Sequence, residues 1–389
     1  MTAALPLGCV QEGKATFAVG DAFYRPQSAI ARDLAVLAAA VYRQHHGQLR
    51  VLDAMTGCGV RPLRYGLEAG AEFVWANEAN PDLADLLQHN LAALPADTCR
   101  LTHQDANDVF FTCHQRRDLF DLVDIDNFGG PAPYVSTGLW ATRLGGLLYL
   151  TNTDGRATSG HDPAGSLRTY GAWARSHPAV HEQGLRLIIG HAAQTAAARG
   201  LGIEPVFSLF TGQVHRVMVR LVHRPTLSDA TYGFLSYCHG CGHFQSVDWR
   251  HLNRTDCPCS TEDAPIVSGP LWLGPLHDPA TLAEMQDLAD RWGWRSQARR
   301  LDIMAQETDL PPYYYPLGEI GRRGQMDIPN RDRLITALQA QGYRAAIPSM
   351  DWQGIKTDAA LRDCVAIAQD IRDGPCSPKA SRSIFATGG

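Results

Sequence analysis

Four cysteines lie close together in the second half of the chain: Cys238, Cys241, Cys257 and Cys259. The first two form a CxxCG knuckle, and a CxC pair follows after 15 intervening residues. Four thiolates at this spacing suit a tetrahedral zinc ion that stabilises a small fold. His239, His243 or His251 could replace one cysteine as a ligand. The plainer alternative is a set of buried thiols without metal.

Four acidic residues recur about every 25 residues in the first half: Asp53, Glu78, Asp105 and Asp126. Each follows an apolar segment, and ligands of open parallel sheets bind beyond the carboxyl ends of the strands. Glu78 is placed to hold both hydroxyls of a ribose. Asp105, followed by Ala106, is placed to accept a hydrogen bond from an adenine amino group. The set favours S-adenosylmethionine, which has no phosphates; the alternative is four ordinary turn residues.

A glycine-containing loop, Thr56–Pro62, follows the first of these strands. Gly57 and Gly59 would let the backbone pass close to a ligand. Pro62 stands where a dinucleotide fingerprint would carry its third glycine, which counts against NAD.

The segment Asp126-Asn127-Phe128-Gly129 suits methyl transfer to an exocyclic amine. Such an amine is a weak nucleophile because its lone pair is delocalised into the ring. A carboxylate (Asp126) and a backbone carbonyl (Asn127) that accept its two N–H bonds would make the nitrogen more nucleophilic, and Phe128 could stack on the base. The alternatives are a simple strand-to-loop turn, or Asp124 as the acting carboxylate or as a neighbour that raises the pKa of Asp126.

The elements that must position these residues alternate between strands and helices. A helix is predicted over 28–43, and short apolar segments predict strands at 49–55, 72–78, 99–105, 119–129 and 145–153. A long helix over 180–200 precedes strands at 203–210 and 214–224, and the alternation in the last indicates an edge strand. The pattern predicts an α/β fold with a mostly parallel, doubly wound sheet. Further on, helical patterns cover 280–306 and 331–342, and 343–348 resembles a strand.

Composition limits the function classes. Of the 389 residues, 45% are hydrophobic and 19% charged, which excludes wholesale disorder and coiled coils. No apolar run reaches the length of a membrane helix, and the N-terminus lacks the features of a signal peptide, so we expect a cytoplasmic protein. The net charge of -5 argues against coating of nucleic acid by bulk charge. The whole negative net charge comes from residues 1–150, which contain 11 basic and 16 acidic residues.

Many ordered motifs over about residues 11–360 make the chain resemble the tRNA guanine-N2 dimethyltransferases of archaea, eukaryotes and some bacteria. The matching segments are Glu12-Gly13, 23–27, 32–34, 56–61, Asp105-Ala106, 126–129, 151–155, 168–171, 184–190, the cysteine knuckle, 269–278, 311–315 and 354–359. The resemblance implies a Rossmann-like class I methyltransferase domain, a smaller α/β C-terminal domain with a zinc knuckle, and transfer of one or two methyl groups to N2 of guanine 26 of tRNA. Whether guanine 27 is also a target stays open.

The resemblance also implies site residues. Carried over by motif, the contacts to the methyl donor are Arg32, Arg61, Glu78, Asp105 and Ala106, which join Asp53, Gly57 and Gly59 of the loop region. Asp126 and Phe128 would serve the guanine. The family usually has proline where Asn127 stands, and 346–349 (AIPS) replaces a more polar stretch.

We therefore expect four regions: a methyltransferase domain over 1–224, a zinc-binding module over 225–265, a tRNA-binding domain over 266–376 and a flexible tail over 377–389. Helical spacing would put Arg291, Arg295 and Arg299 on one face for tRNA contact, followed by Arg322, Arg323, Arg331 and Arg333. Of the three tyrosines 313–315, two are expected to pack inside. We expect a monomer that acts on tRNA and on no membrane. The competing hypotheses are an aminomethyltransferase for another RNA or a protein amide, and a catalytically silent tRNA-binding protein.

Overall fold

The computed structural model describes residues 8–252, 254, 255, 257, 259 and 264–373. The first part of the chain contains, in order, β1 (Cys9–Glu12), β2 (Ala15–Ala18), α1 (Ala29–His46), β3 (Arg50–Asp53), α2 (Val60–Leu67), β4 (Phe73–Asn77), α3 (Ala84–Leu91), β5 (Cys99–Thr102), α4 (Ala106–Arg116), β6 (Phe120–Ile125), α5 (Ala132–Ala141), β7 (Thr142–Asn152), α6 (Gly155–Thr158), α7 (Pro163–Tyr170), α8 (Val180–Ala197), β8 (Gly202–Thr211) and β9 (Val214–Val222).

The second part contains β10 (Tyr232–Tyr237), β11 (Phe244–Val247), β12 (Ile266–Trp272), α9 (Pro279–Arg291), α10 (Arg295–Gln306), β13 (Tyr315–Pro316), α11 (Leu317–Gly324), α12 (Arg331–Ala340), β14 (Ala345–Ala346), β15 (Gly354–Thr357) and α13 (Leu361–Asp373). The strand expected over 343–348 is thus reduced to two paired residues.

Seven strands form the central sheet in the order β5-β4-β3-β6-β7-β9-β8. The strands from β5 to β7 are parallel, so the predicted doubly wound, mostly parallel sheet is confirmed. All six residues of β6 are buried, as expected for a parallel strand with helices on both faces. Helices α4, α5 and α8 contribute to the apolar cluster on one face, and α1, α9 and α10 to that on the other.

The prediction that 214–224 forms an edge strand is wrong. β9 pairs antiparallel with both β7 and β8, and β8 lies at the edge. The alternation in β9 suggested one face in water, but its first six residues are all buried. The polar side chains of His215 and Arg216 face the interior of the protein instead of solvent.

The single helix expected over 280–306 is two helices, α9 and α10. Gly293 has a φ of +76° just after α9, and the N–H of Trp294 donates to the carbonyl of Ala289 at 2.8 Å. A glycine in this conformation ends a helix by satisfying its last carbonyls. Arg291 therefore belongs to a different helix from Arg295 and Arg299, and the three do not share one helical face.

Two small sheets follow the central one, with the orders β11-β10-β12 and β13-β15-β14. β10 pairs with β12 across the boundary expected between residues 265 and 266. The division into four regions stays a prediction, and the tail over 377–389 lies outside the described residues. Among the residues that the structure describes, no helix is long and apolar enough to cross a membrane.

Candidate active site

A cavity of about 510 Å³ lies beyond the carboxyl ends of β3, β4, β6 and β7. The strand order reverses between β3 and β6, and such switch points are where doubly wound sheets bind ligands. Seven of the predicted site residues line this cavity: Arg32, Gly57, Arg61, Glu78, Asp126, Asn127 and Phe128. The other four, Asp53, Gly59, Asp105 and Ala106, do not line it.

The glycine loop is fastened to the second strand end. The N–H of Gly57 donates to Oε2 of Glu78 at 2.8 Å, while Oε1 of Glu78 accepts from the N–H of Asn80 at 3.1 Å. Gly57 has a φ of +58° and Gly59 a φ of +85°, conformations in which a side chain would be strained. Glycine at these positions thus allows the loop conformation in which the N–H of Gly57 holds the Glu78 carboxylate at the cavity.

Asp126 lies between two arginine side chains. Nε and Nη2 of Arg61 donate to its Oδ2 at 3.1 and 2.5 Å, and Nη1 of Arg216 lies 3.2 Å from its Oδ1. The two guanidinium groups are almost fully buried, whereas 26% of the Asp126 side chain is exposed. The carboxylate is therefore held from behind and accessible in front.

The charges around Asp126 keep it ionised. Burial raises the pKa of Asp126, but the charges of Arg61 and Arg216 outweigh burial and leave it below its usual value. The net shift of the Asp126 pKa is thus downward, and a raising effect of Asp124 on it stays a prediction. Asp124 itself is fully buried and accepts hydrogen bonds from Arg61 Nη1 at 2.8 Å and the Tyr65 hydroxyl at 2.7 Å. It does not line the cavity.

Asp53 lies beneath the site, fully buried at the end of β3, and is paired in register with Asp124. Neither of its carboxylate oxygens has a hydrogen-bond partner among the described residues. Burial and the neighbouring charge of Asp124 raise the pKa of Asp53 well above its usual value. This geometry favours a neutral carboxyl group that supports the loop from below.

Asn127 stabilises the turn in which proline is usual. Its side-chain Nδ2 donates to the carbonyls of Phe128 and Gly130, both at 2.9 Å. The Thr153 hydroxyl accepts from the N–H of Gly129 at 2.7 Å and ties the turn to the end of β7. Hydrogen bonds thus supply the rigidity that a proline ring would supply through its fixed φ.

Two exposed aromatic rings stand at the cavity. Phe128 is 76% exposed and Phe23 63% exposed, and their rings meet edge to face with centroids 5.0 Å apart. Large exposed rings side by side offer apolar surface to a flat ligand. Sequence reasoning included Phe23 only as part of a motif, because nothing in the sequence indicates that residues 23 and 128 meet.

Arg32 lines the cavity but is held by the N-terminal hairpin. Its Nε and Nη2 contact the two carboxylate oxygens of Glu12, at 2.6 and 2.5 Å. The Tyr24 hydroxyl donates to the same carboxylate at 2.9 Å, and Arg25 Nη2 donates to the carbonyl of Gly212 at 2.8 Å. Tyr24 and Arg25 thus tie the segment that follows Phe23 to β1 and to the turn between β8 and β9.

Asp105 caps the N-terminus of α4, where its Oδ1 accepts from the N–H of Asn107 at 2.8 Å. It is exposed, and Ala106 is the buried first residue of the helix. Their predicted contact with an adenine stays a prediction.

The four clustered cysteines come together, and their sulfur atoms all lie within 4.8 Å of one another. Three Sγ–Sγ distances are 3.6 Å (Cys238 to Cys259), 3.3 Å (Cys241 to Cys257) and 2.9 Å (Cys257 to Cys259). Zinc–sulfur bonds of about 2.3 Å would place sulfur atoms about 3.8 Å apart in a tetrahedron. In these three pairs the sulfur atoms lie closer together than that, so the group is compact enough for all four to bind one zinc ion. His239, His243 and His251 are not part of this group.

Part of the arginine set predicted for tRNA has structural roles. Arg323 donates to the carbonyls of Gly240 and His239 at 2.7 and 2.9 Å and so fastens the cysteine knuckle. Arg331 packs over the Trp352 ring at 4.3 Å. Arg291, Arg295 and Arg299 are exposed, and none of them pairs with an acidic side chain in the described part of the chain.

The tyrosines pack as expected. Tyr314 and Tyr315 are buried, and Tyr313 stacks on Phe244 with ring centroids 4.6 Å apart.

Comparison with known proteins gives matches over nearly the whole chain. A family model described as N2,N2-dimethylguanosine tRNA methyltransferase matches residues 9–369. The chain is similar to the tRNA (guanine(26)-N(2))-dimethyltransferase of Pyrococcus abyssi, with 29% identity over 358 residues that cover 87% of this chain and 90% of the relative. The protein of the same description from Pyrococcus horikoshii is 30% identical over 379 residues, which cover 90% and 95%.

A similar solved structure is that of Trm1 from Pyrococcus horikoshii in complex with S-adenosyl-L-methionine. The TM-score is 0.80 at 28% identity, and the alignment covers 92% of this chain and 99% of the other. The similarity thus extends over both the central sheet and the second part of the chain.

Proposed function

The chain belongs to the N2,N2-dimethylguanosine tRNA methyltransferase family, and on that premise we propose that it transfers methyl groups from S-adenosylmethionine to the exocyclic N2 of guanine 26 in tRNA. Its curated relatives carry this activity in their names. One or two transfers per guanine are included in the proposal, with guanine 27 as a further target. The observation that carries it is an ionised Asp126 that faces a cavity beside two exposed aromatic rings.

The cavity suits the methyl donor. S-adenosylmethionine supplies a methyl group bound to a positively charged sulfur. The lining carries charges of both signs, and Glu78 lies where a carboxylate would hold the ribose hydroxyls. Gly57 lets the loop pass close to the donor, and Arg32 and Arg61 lie in the same wall. We assign Asp105 and Ala106 to the adenine, beyond β5, and Asp53 and Gly59 to support of the loop.

The guanine would leave its stack and enter beside Phe128 and Phe23, because its N2 is out of reach within a folded RNA. Asp126 and the carbonyl of Asn127 would accept the two N–H bonds of the amino group. The N2 lone pair then bonds to the methyl carbon as the carbon–sulfur bond breaks and its electrons stay on sulfur. The positive charge that develops on N2 is stabilised by Asp126 and is removed when a proton leaves to water.

The cysteine group fits a structural zinc, which would order the knuckle. Arg323 of α11 contacts the knuckle at the carbonyl of Gly240. We propose that exposed arginines of the second part, such as Arg295 and Arg299, contact tRNA phosphates. The monomer expected from the sequence stays a prediction. A tRNA substrate is consistent with the cytoplasmic location expected from the sequence.

The decisive experiment combines the purified protein, labelled S-adenosylmethionine and tRNA transcripts, followed by digestion and mass spectrometry. We expect label on guanine 26 that is lost when this guanine is replaced by adenine; label that remains on the replaced transcript at guanine 27 would identify that base as a further target. Label on another RNA or on protein would favour a different aminomethyltransferase. Binding of tRNA without transfer would favour a silent binding protein.

We predict that Asp126→Ala abolishes transfer, with a loss of at least about 100-fold in kcat, because the amino group loses its charged acceptor. Binding of S-adenosylmethionine, measured by calorimetry, should stay within about threefold of the wild type, since Glu78 and the glycine loop are untouched. Transfer near the wild-type rate would contradict the role of Asp126.

A further inference from the structure

β9 brings a second arginine to Asp126, from a segment that carries none of the motifs singled out in the sequence. We propose that Arg216 is a positioning residue for methyl transfer: it fixes the orientation of the Asp126 carboxylate so that the carboxylate meets the guanine amino group. This inference rests on the proposed function and adds one residue to those that serve the transfer.

The position of Arg216 follows from strand pairing. In the antiparallel register of β7 and β9, Thr151 lies opposite Arg216. Nη1 of Arg216 donates to the Thr151 hydroxyl at 3.0 Å and contacts Asp126 Oδ1 at 3.2 Å, and Nη2 lies 3.5 Å from the Ser28 hydroxyl. The guanidinium group is thus fixed by residues from β7, the end of β6 and the start of α1.

Arg61 contacts only one oxygen of the carboxylate, since both of its hydrogen bonds to Asp126 go to Oδ2. Arg216 contacts the other oxygen, Oδ1. The two arginines together therefore hold both carboxylate oxygens, and without Arg216 the oxygen Oδ1 loses its charged partner. A carboxylate oxygen can accept about two hydrogen bonds. Oδ2 already accepts two from Arg61, so the capacity for a substrate N–H lies on Oδ1, the oxygen that Arg216 contacts. Small displacements of such a group are costly, about 100-fold in rate per ångström.

Arg61 is also shared with a second acid, since its Nη1 donates to Asp124. Arg216 makes no ion pair with a described acid other than Asp126. Its Nε is buried without a hydrogen-bond partner among the described residues, and the side chain lines the cavity. A buried donor of this kind is available to a bound ligand.

The charged and titratable groups around Asp126 define what removal of Arg216 does. They are Arg61 on α2, Arg216 on β9, Asp124 on β6, Asp53 on β3 and Tyr149 on β7. Without Arg216, one arginine faces the carboxyl groups of Asp126 and Asp124. The pKa of Asp126 would rise, and the acid limb of the rate profile would move to higher pH.

The test compares Arg216→Met and Arg216→Lys with Arg220→Met as a matched control. Arg220 lies on the same strand and pairs with Leu147, at the other end of the sheet from the cavity. The measurements are kcat and KM for tRNA and donor, kcat from the lowest pH at which the protein stays folded up to about pH 9, and the thermal unfolding midpoint.

We expect Arg216→Met to lower kcat by about 10- to 100-fold, with the acid limb at higher pH and donor affinity within about threefold. Arg216→Lys should recover part of kcat, and Arg220→Met should leave kcat and the pH profile unchanged. The proposal is overturned if Arg216→Met keeps the wild-type kcat and pH profile, or if the Lys and Met variants lose activity only in proportion to lost folding. Should the Met variant fail to fold, Arg216→Gln, which removes the charge but keeps a hydrogen-bond donor, is judged by the same kcat and pH criteria. Absence of transfer by the wild type would instead overturn the proposed function.

Discussion

At the scale of single residues, neighbouring charges shift the pKa values of the acidic residues near the cavity in different directions. Asp126 is held ionised at the cavity by two arginines, whereas Asp53, a short distance below, is buried without a hydrogen-bond partner among the described residues. Two carboxyl groups of the same chemical type thus have opposite pKa shifts. The difference comes from partners, since burial acts in the same direction on both.

Asp53→Asn should therefore stabilise the protein at neutral pH. The raised pKa means that wild-type stability contributed by this group is complete below the unfolded pKa of about 3.9 and is lost as the pH rises toward the folded pKa. Asparagine cannot ionise, so the advantage of the variant should grow with pH by up to about 1.4 kcal/mol per unit.

Urea unfolding at several pH values between about 4 and 8 measures this difference. A variant less stable than the wild type at pH 7 would contradict a neutral Asp53. A large loss of donor affinity would show instead that Asp53 contacts the donor as a carboxylate.

At the scale of elements, a buried polar network joins α8 to the second part of the chain. Lys356 on β15 contacts Glu182 on α8 at 2.6 Å and Glu307, just after α10, at 3.7 Å. Arg186 donates to Glu182 at 2.7 Å, and His277 contacts Glu307 at 3.1 Å. Several of these residues come from segments of family resemblance far from the cavity, so those segments serve the packing of elements.

Lys356→Met should lower the free energy of unfolding by about 3–5 kcal/mol, because it leaves two buried carboxylates short of a cation. Burial raises the pKa of Glu307, but Lys356 and His277 outweigh it and lower the pKa. The stability that ionised Glu307 contributes is therefore present above its unfolded pKa of about 4.3. It is lost as the pH falls toward the pKa of Glu307 in the folded protein.

The loss caused by Lys356→Met should accordingly be largest near neutral pH and shrink below about pH 4. Lys14→Met, at an exposed lysine, serves as the control and should change stability by less than about 0.5 kcal/mol. Equal effects of the two substitutions in urea unfolding would show that the network contributes nothing specific.

At the scale of the whole molecule, the residues that line the cavity all lie between 21 and 216, whereas the cysteine group lies beyond residue 237. The proposed donor site and the proposed zinc site therefore lie in different parts of the chain. The knuckle meets α11 through Arg323, so loss of the metal should disturb the second part first.

We predict that chelation releases one zinc ion per chain and weakens tRNA binding at least about tenfold, because the thiolates no longer hold the knuckle. Donor affinity should stay within about threefold. Cys238→Ser should reproduce the effect, while Cys9→Ser, outside the group, should retain zinc. Elemental analysis that finds no zinc in the purified wild type would refute the site.

The parallel sheet, the strand-end acids and the cysteine pairs could be predicted because each depends on local pattern: apolar segments, residue spacing and ligand chemistry. The break at Gly293 and the interior place of β9 could not. Alternation in 214–224 indicates a strand but does not tell whether its polar side chains meet water or a carboxylate. Likewise, the helical period continues in the sequence across Trp292 and Trp294, and only the left-handed glycine between them ends the helix.

The family, the order of most elements and the segment that carries Asp126 can all be inferred from residue types and their spacing. The groups that face the Asp126 carboxylate depend on the fold: Arg216 arrives from 90 residues away, and Phe23 meets Phe128 across the cavity. Residue type and periodicity are local properties of the chain. The partner of a charge or a ring depends on strand order and register, which the packing of the whole sheet sets.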